Sequence, residues 1–212
     1  MDAIDRLRGL VRSWLKHVAR FINQFSGGRV TPAQITLLST AGHIAVAWTI
    51  ADGRLSLAAG LLILFGLMDG LDGQLARLQN RASSLGIVLD ATADRLKETF
   101  IYGGIVVYLA PQLAPAQLFW VILALGLSIS LSYIKAKGEA VLASQTSRQL
   151  NPQDLNRFIG GDSLMQFDVR MTLIVAALLF DILWAMALVI AFTSLFSLVS
   201  RYNELKRLLE KD

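Results

Sequence analysis

Six apolar stretches, each close to the roughly 20 helical residues that cross the hydrocarbon of a bilayer, leave this chain few possible architectures. They lie near residues 33–52, 56–79, 85–109, 115–137, 169–183 and 184–204. In lipid every backbone N–H and C=O must be satisfied inside the protein, so spans of this length are helices. Hydrophobic residues make up 54% of the 212 and charged residues only 17%, with a mean hydropathy of +0.53. That is the composition of a polytopic membrane protein. The expected fold class is all-α, with six transmembrane helices in one catalytic domain over 31–212 and a juxtamembrane segment over 1–30. Residues 171–198 are almost continuously apolar, interrupted by Asp181. Residues 169–209 are too many for one crossing, and a lone carboxylate sits more cheaply at an interface than at mid-depth. A helical hairpin broken near Asp181 follows.

Residues 4–25 place Ile4, Leu7, Leu10, Val11, Trp14, Leu15, Val18, Phe21, Ile22 and Phe25 at helical spacing with arginine and lysine between them. This is the pattern of an amphipathic helix in the headgroup plane, strengthened by anionic lipid. Ser26-Gly27-Gly28 supplies a joint before the first span. The segment has no unbroken apolar run followed by a small-residue cleavage site, so it does not read as a removable signal. Basic residues flank the spans unevenly. Arg6, Arg8, Arg12, Lys16, Arg20 and Arg29 precede the first, Arg77 and Arg81 follow the second, and Lys135, Lys137, Arg148 and Arg157 follow the fourth. Arg201, Lys206, Arg207 and Lys211 close the chain, while the opposite connections offer only Arg54. The positive-inside rule then predicts a multi-pass protein of the cell (inner) membrane with both termini cytoplasmic.

Four aspartates lie inside the second and third spans, toward the cytoplasmic side. Ionised groups at membrane depth are costly unless paired or bound to a cation, so Asp69, Asp72, Asp90 and Asp94 read as a metal site. Spacings of three, four and seven put Asp69, Asp72, Gly73 and Ala76 on one helix face, and Asp90 and Asp94 are one turn apart. Two such helices packed antiparallel would converge four carboxylates on a pocket. The chain has no cysteine and only His17 and His43, which leaves oxygen ligands. Carboxylates suit magnesium or manganese, one ion or two. Such ions in a pocket at lipid level imply a phosphate-bearing substrate. Gly73 and Ala76 would let a ligand approach the helix backbone, and Arg77 would neutralise phosphate charge. Gly73, Ala76 and Gly86 equally suit close helix packing.

The run D-x2-D-G-x2-A-R-x8-G-x3-D-x3-D, as it stands at 69–94, resembles the signature of the CDP-alcohol phosphotransferases in every fixed position. The resemblance implies transfer of a phosphatidyl group from CDP-diacylglycerol to an alcohol, with release of CMP, by a homodimeric integral membrane enzyme with no nucleic-acid partner. It implies Asp69, Asp72 and Asp90 as metal ligands, and Asp94 as a further ligand or as the general base on the acceptor hydroxyl, with two ions bound. Gly73, Ala76 and Arg77 would meet the nucleotide and diphosphate. The family's Pro-Asn-x-x-Thr element corresponds to Pro32-Ala33-Gln34-Ile35-Thr36, with alanine for asparagine, which leaves Pro32 and Thr36 as nucleotide contacts.

Ser132-Tyr133-Ile134-Lys135-Ala136-Lys137-Gly138-Glu139 is similar to a segment of the phosphatidylinositol phosphate synthase branch. With Arg170 and Arg201, Lys135 would form a basic pocket for a phosphorylated acceptor such as inositol phosphate. The branch's Glu-Arg-x-x-Arg element is matched only at Arg170, within Gln166-Phe167-Asp168-Val169-Arg170. Glycerol phosphate, the acceptor of a phosphatidylglycerophosphate synthase, is the main alternative. A different class, a non-enzymatic scaffold or an ion-coupled transporter, is less favoured: transporters usually show internal repeats and this chain shows none, and CMP release from CDP-diacylglycerol on addition of an alcohol separates the classes.

Overall fold

The computed structural model describes residues 3–144 and 165–210. Among these there are seven helices and no strand: α1 (Ala3–Phe25), α2 (Pro32–Ala51), α3 (Leu55–Leu78), α4 (Ser84–Leu109), α5 (Pro115–Ser144), α6 (Phe167–Phe180) and α7 (Leu183–Glu210). Arg148, Arg157 and Lys211, counted above among the flanking charges, lie outside the described residues. The helices α2, α3, α5 and α7 are long and apolar enough to cross a membrane. In α4 the apolar run is broken at mid-length by Asp90, Asp94, Arg95, Lys97 and Glu98, and α6 has only 14 residues.

Local chemistry sets the ends. Thr31 caps α2 through a capping box: its Oγ1 accepts from Gln34 N at 3.3 Å and its own N donates to Gln34 Oε1 at 2.9 Å. Pro32 fits the first turn because its missing N–H would be unpaired there in any case. Gly53, at φ +74°, turns the chain from α2 into α3. Asp181 takes a left-handed conformation, φ 51°, and ends α6. Tyr108 Oη donates to its carboxylate, 3.0 and 3.1 Å from the two oxygens. The break therefore falls at the one carboxylate in the apolar run. α5 and α7 run beyond the apolar stretches that predict them, to Ser144 and Glu210. Their extensions continue as helix because Leu142 and Leu208 bury against each other, flanked by Leu205 and Leu209.

The chain divides into two compact units, Met1–Gly104 and Ile105–Asp212. In the first, α1 lies on α3 through Leu15, Ala19, Leu71 and Leu75, with Ile35 of α2 completing the cluster. Gln79 Nε2 fastens the far end of α3 to Asn23 Oδ1 and Val30 O, each at 2.9 Å. Leu10, Trp14, Phe21 and Phe25 of α1 remain exposed, as do Leu37, Ile44 and Trp48 of α2. In the second unit α5 and α7 are the main packed pair, and Trp120 of α5 meets Phe192 of α7 with ring centroids 5.4 Å apart.

Candidate active site

Within the first unit, a cavity of about 650 Å³ opens beside α3 and the start of α4. Pro32, Thr36, Asp72, Gly73, Ala76, Arg77 and Asp90 all line it, together with the turn and first residues of α4 from Arg81 to Ile87. Every residue that the sequence assigns to nucleotide contact thus borders one space. Gly73 and Ala76 are on its wall, and a Cβ at Gly73 would meet only the Arg77 side chain, at 3.6 Å. Among the described residues, close helix contacts are made by Gly42 against the Phe65 ring, Gly70 against the Leu15 side chain and Gly104 against the Ala47 backbone. Arg77 folds back along α3, with Nε donating to Gly73 O at 3.1 Å.

The carboxylates are held from behind by hydroxyls on α2. Thr36 Oγ1 donates to Asp72 Oδ2 at 2.5 Å, and Ser39 Oγ donates to Asp69 Oδ1 at 2.6 Å. Thr36, Ser39 and His43 recur at spacings of three and four and are all buried, so α2 presents a polar stripe to α3 in an otherwise apolar helix. His43 Nδ1 lies 2.8 Å from Ser39 O, and its ring is tilted against Phe65. Each hydroxyl fixes one oxygen of its aspartate and leaves the other available, the arrangement by which outer groups orient metal-ligating carboxylates.

Lys97, like Ser39, is a residue that sequence reasoning missed. Its side chain is fully buried, and Nζ lies 2.7 Å from Asp69 Oδ1 and 3.5 Å from Asp94 Oδ1. The signal was present: Lys97 follows Asp94 by three and Asp90 by seven, on the same helix face. Among the described residues, no three carboxylate or imidazole side chains stand together closely enough to hold an ion as they are. The Lys97 ammonium engages Asp69 and Asp94, whereas Asp72 and Asp90 face the cavity.

The three cations read as an acceptor pocket belong to the second unit and differ in setting. Lys135 is exposed on α5. Arg170, 2% exposed, donates from Nη1 to Met165 O at 2.7 Å and from Nη2 to Ser132 Oγ at 3.4 Å, with the Phe167 ring centroid 5.9 Å from its guanidinium. Arg201 is buried on α7.

The sequence profile of the CDP-alcohol phosphatidyltransferase family matches residues 29–151. A phosphatidylinositol phosphate synthase from Corynebacterium glutamicum is 39% identical over 118 residues, 53% of this chain and 52% of its own length. The chain therefore spans about half the length of that relative. A crystal structure of Mycobacterium tuberculosis phosphatidylinositol phosphate synthase with CDP-DAG bound superposes with a TM-score of 0.75 at 24% identity, covering 90% of this chain and 92% of that one. The same mycobacterial enzyme in complex with manganese and citrate gives a TM-score of 0.69 at 24% identity, covering 91% and 88%. With more than half of its length matched, and the motif from Asp69 to Asp94 intact, the chain belongs to the CDP-alcohol phosphatidyltransferase family.

Proposed function

We propose that the chain transfers the phosphatidyl group of CDP-diacylglycerol to a phosphorylated alcohol, inositol phosphate, and releases CMP. The observation that carries this reading is the cavity bordered at once by Asp72, Asp90, Gly73, Ala76, Arg77 and Pro32. Gly73 and Ala76 leave room for the nucleotide and diphosphate to lie against α3, and Arg77 offers a cation to the phosphates. Asp69, Asp72 and Asp90 fit a hard divalent cation, Mg2+ or Mn2+, because they offer oxygen donors alone and two of them are oriented by Ser39 and Thr36. Two such ions, when bound, offset charge on the diphosphate and the departing CMP. Asp94 takes the proton of the acceptor hydroxyl, whose oxygen bonds to the phosphatidyl phosphorus as the bond to CMP breaks. Lys135, Arg170 and Arg201 select an acceptor that itself carries phosphate. Inositol phosphate is favoured over glycerol phosphate by the resemblance of 132–139 to the inositol branch and by the activity named for the Corynebacterium relative.

The same reading makes the protein a homodimer in the cell membrane with six spans, α2 to α7, and with α1 on the cytoplasmic surface. Exposed Leu37, Ile44 and Trp48 on α2 support contact with lipid, since soluble proteins seldom leave such faces bare. Exposed Leu10, Trp14, Phe21 and Phe25 support α1 in the headgroup region. The testing experiment supplies purified protein with CDP-diacylglycerol and Mn2+, then inositol phosphate, inositol, glycerol phosphate or serine in turn. CMP release is expected with inositol phosphate well above the others. A preference for glycerol phosphate would make it a phosphatidylglycerophosphate synthase, and a preference for inositol or serine would sink the role of the three cations.

A further inference from the structure

Lys97 reaches the carboxylate cluster from within α4 and is wholly shielded from solvent, at 0% exposure. Its Nζ contacts Asp69 Oδ1 at 2.7 Å and stands 3.5 Å from Asp94 Oδ1, so one ammonium ties α3 to α4 through two of the four motif aspartates. Ser39 Oγ donates to the same Asp69 oxygen at 2.6 Å. That oxygen is therefore committed twice, and Asp69 has its second oxygen to offer. A buried ammonium is tolerated only where acceptors meet it, and here the acceptors are motif carboxylates and not a separate partner. We propose that Lys97 is a positioning residue, the fixed counter-cation of the carboxylate cluster: it holds Asp69 and Asp94 in place and restrains how tightly Asp69, Asp72 and Asp90 take a divalent cation. Removing it leaves the same ligands with one more uncompensated negative charge, at a depth where Coulomb interactions are weakly screened. This inference rests on the reading of the aspartates as metal ligands.

Two measurements on the purified full chain in detergent test it: Mn2+ affinity, from the EPR signal of free ion, and melting temperature in EDTA and in saturating Mn2+. Lys97→Met keeps the length of the side chain without its charge. Its Mn2+ affinity is expected to rise by about tenfold or more, and its melting temperature to fall in EDTA but recover in Mn2+, as the ion supplies the missing charge. Lys97→Arg keeps the charge and is expected to bind Mn2+ as wild type does. Unchanged or weaker Mn2+ binding by Lys97→Met overturns the proposal. So does a Lys97→Met protein that is unfolded both with and without Mn2+, because that is the result of lost packing. A wild-type chain that binds no Mn2+ removes the metal reading along with it. Normal wild-type binding with an unresponsive Lys97→Met removes the role of Lys97 alone.

Discussion

Thr36 has one hydroxyl proton and two acceptors in reach, Asp72 Oδ2 at 2.5 Å and Pro32 O at 3.2 Å. The shorter contact, to a carboxylate, takes the proton, so Thr36 is bonded to Asp72 while it also borders the cavity. Replacing it with valine keeps the shape and removes the hydrogen bond. Loss of an outer hydrogen bond of this kind typically costs about 10- to 100-fold in metal affinity or activity, and Mn2+ binding by Thr36→Val is expected to weaken within that range. Unaltered Mn2+ binding with a raised KM for CDP-diacylglycerol would instead make Thr36 a direct nucleotide contact. Arg170 and Lys135 separate in the same way. Arg170 is buried and donates to Met165 O and Ser132 Oγ, so Arg170→Gln is expected to lose about 1.5–3 kcal/mol of stability as well as acceptor affinity. Exposed Lys135 holds no such contact among the described residues, and Lys135→Gln is expected to raise KM for the alcohol phosphate about tenfold or more with little change in melting temperature or in KM for the donor. Equal losses for both substrates would contradict it. The four aspartates were readable because charge inside an apolar helix is conspicuous. Ser39 was not, because a lone serine in a span is ordinary; the spacing of Lys97 from Asp90 and Asp94 was there to read, but its partner on α3 lies 28 positions earlier in the chain.

Helix ends in this protein follow from breakers that can be read off the chain: Thr31-Pro32 at the start of α2, Gly53 between α2 and α3, and Asp181 between α6 and α7. What apolar periodicity could not give was that α5 and α7 continue as helix past their apolar stretches. Beyond those stretches charged residues interrupt the apolar pattern, while Leu142 and Leu208 are buried together with Leu205 and Leu209 packed against them. Nor does sequence alone tell a packing glycine from one that opens a pocket. Neighbouring positions on α4 make the distinction measurable. A Cβ at Gly103 would meet nothing within 4 Å, whereas one at Gly104 would press on the carbonyl oxygen of Ala47, which is backbone and cannot swing aside. Gly103→Ala is therefore expected to be neutral or to stabilise by up to about 1 kcal/mol through helix propensity. Gly104→Ala is expected to destabilise by about 1–3 kcal/mol. Melting temperatures in one detergent check this, and equal shifts for the two would show that α2 and α4 do not meet as described.

For the whole molecule, orientation follows from charge and not from contacts. Lysine and arginine cluster at the termini and at the ends of the second and fourth apolar stretches, with only Arg54 in the opposite connections. Tags at either terminus are expected to be reachable only from the cytoplasm, and a cysteine placed at Gln112 to label from outside. Labelling of both termini from outside would put Asp69 to Asp94 on the wrong side for a cytoplasmic nucleotide. The motif over 69–94 made the family legible from sequence, because its spacing reflects helix periodicity and ligand chemistry together. The acceptor was less legible, since cations at helix ends serve topology as readily as binding. The proposed role of the carboxylates at the cavity is metal-dependent transfer from CDP-diacylglycerol. The most direct measurement is CMP release from that donor, with inositol phosphate and Mn2+, by wild type and by Asp90→Asn, whose amide keeps the volume and removes the ligand charge. Steady release by wild type, abolished by excess EDTA, is expected, with almost none from a folded Asp90→Asn protein. Substantial release by that variant, or full wild-type release in excess EDTA, would contradict that role.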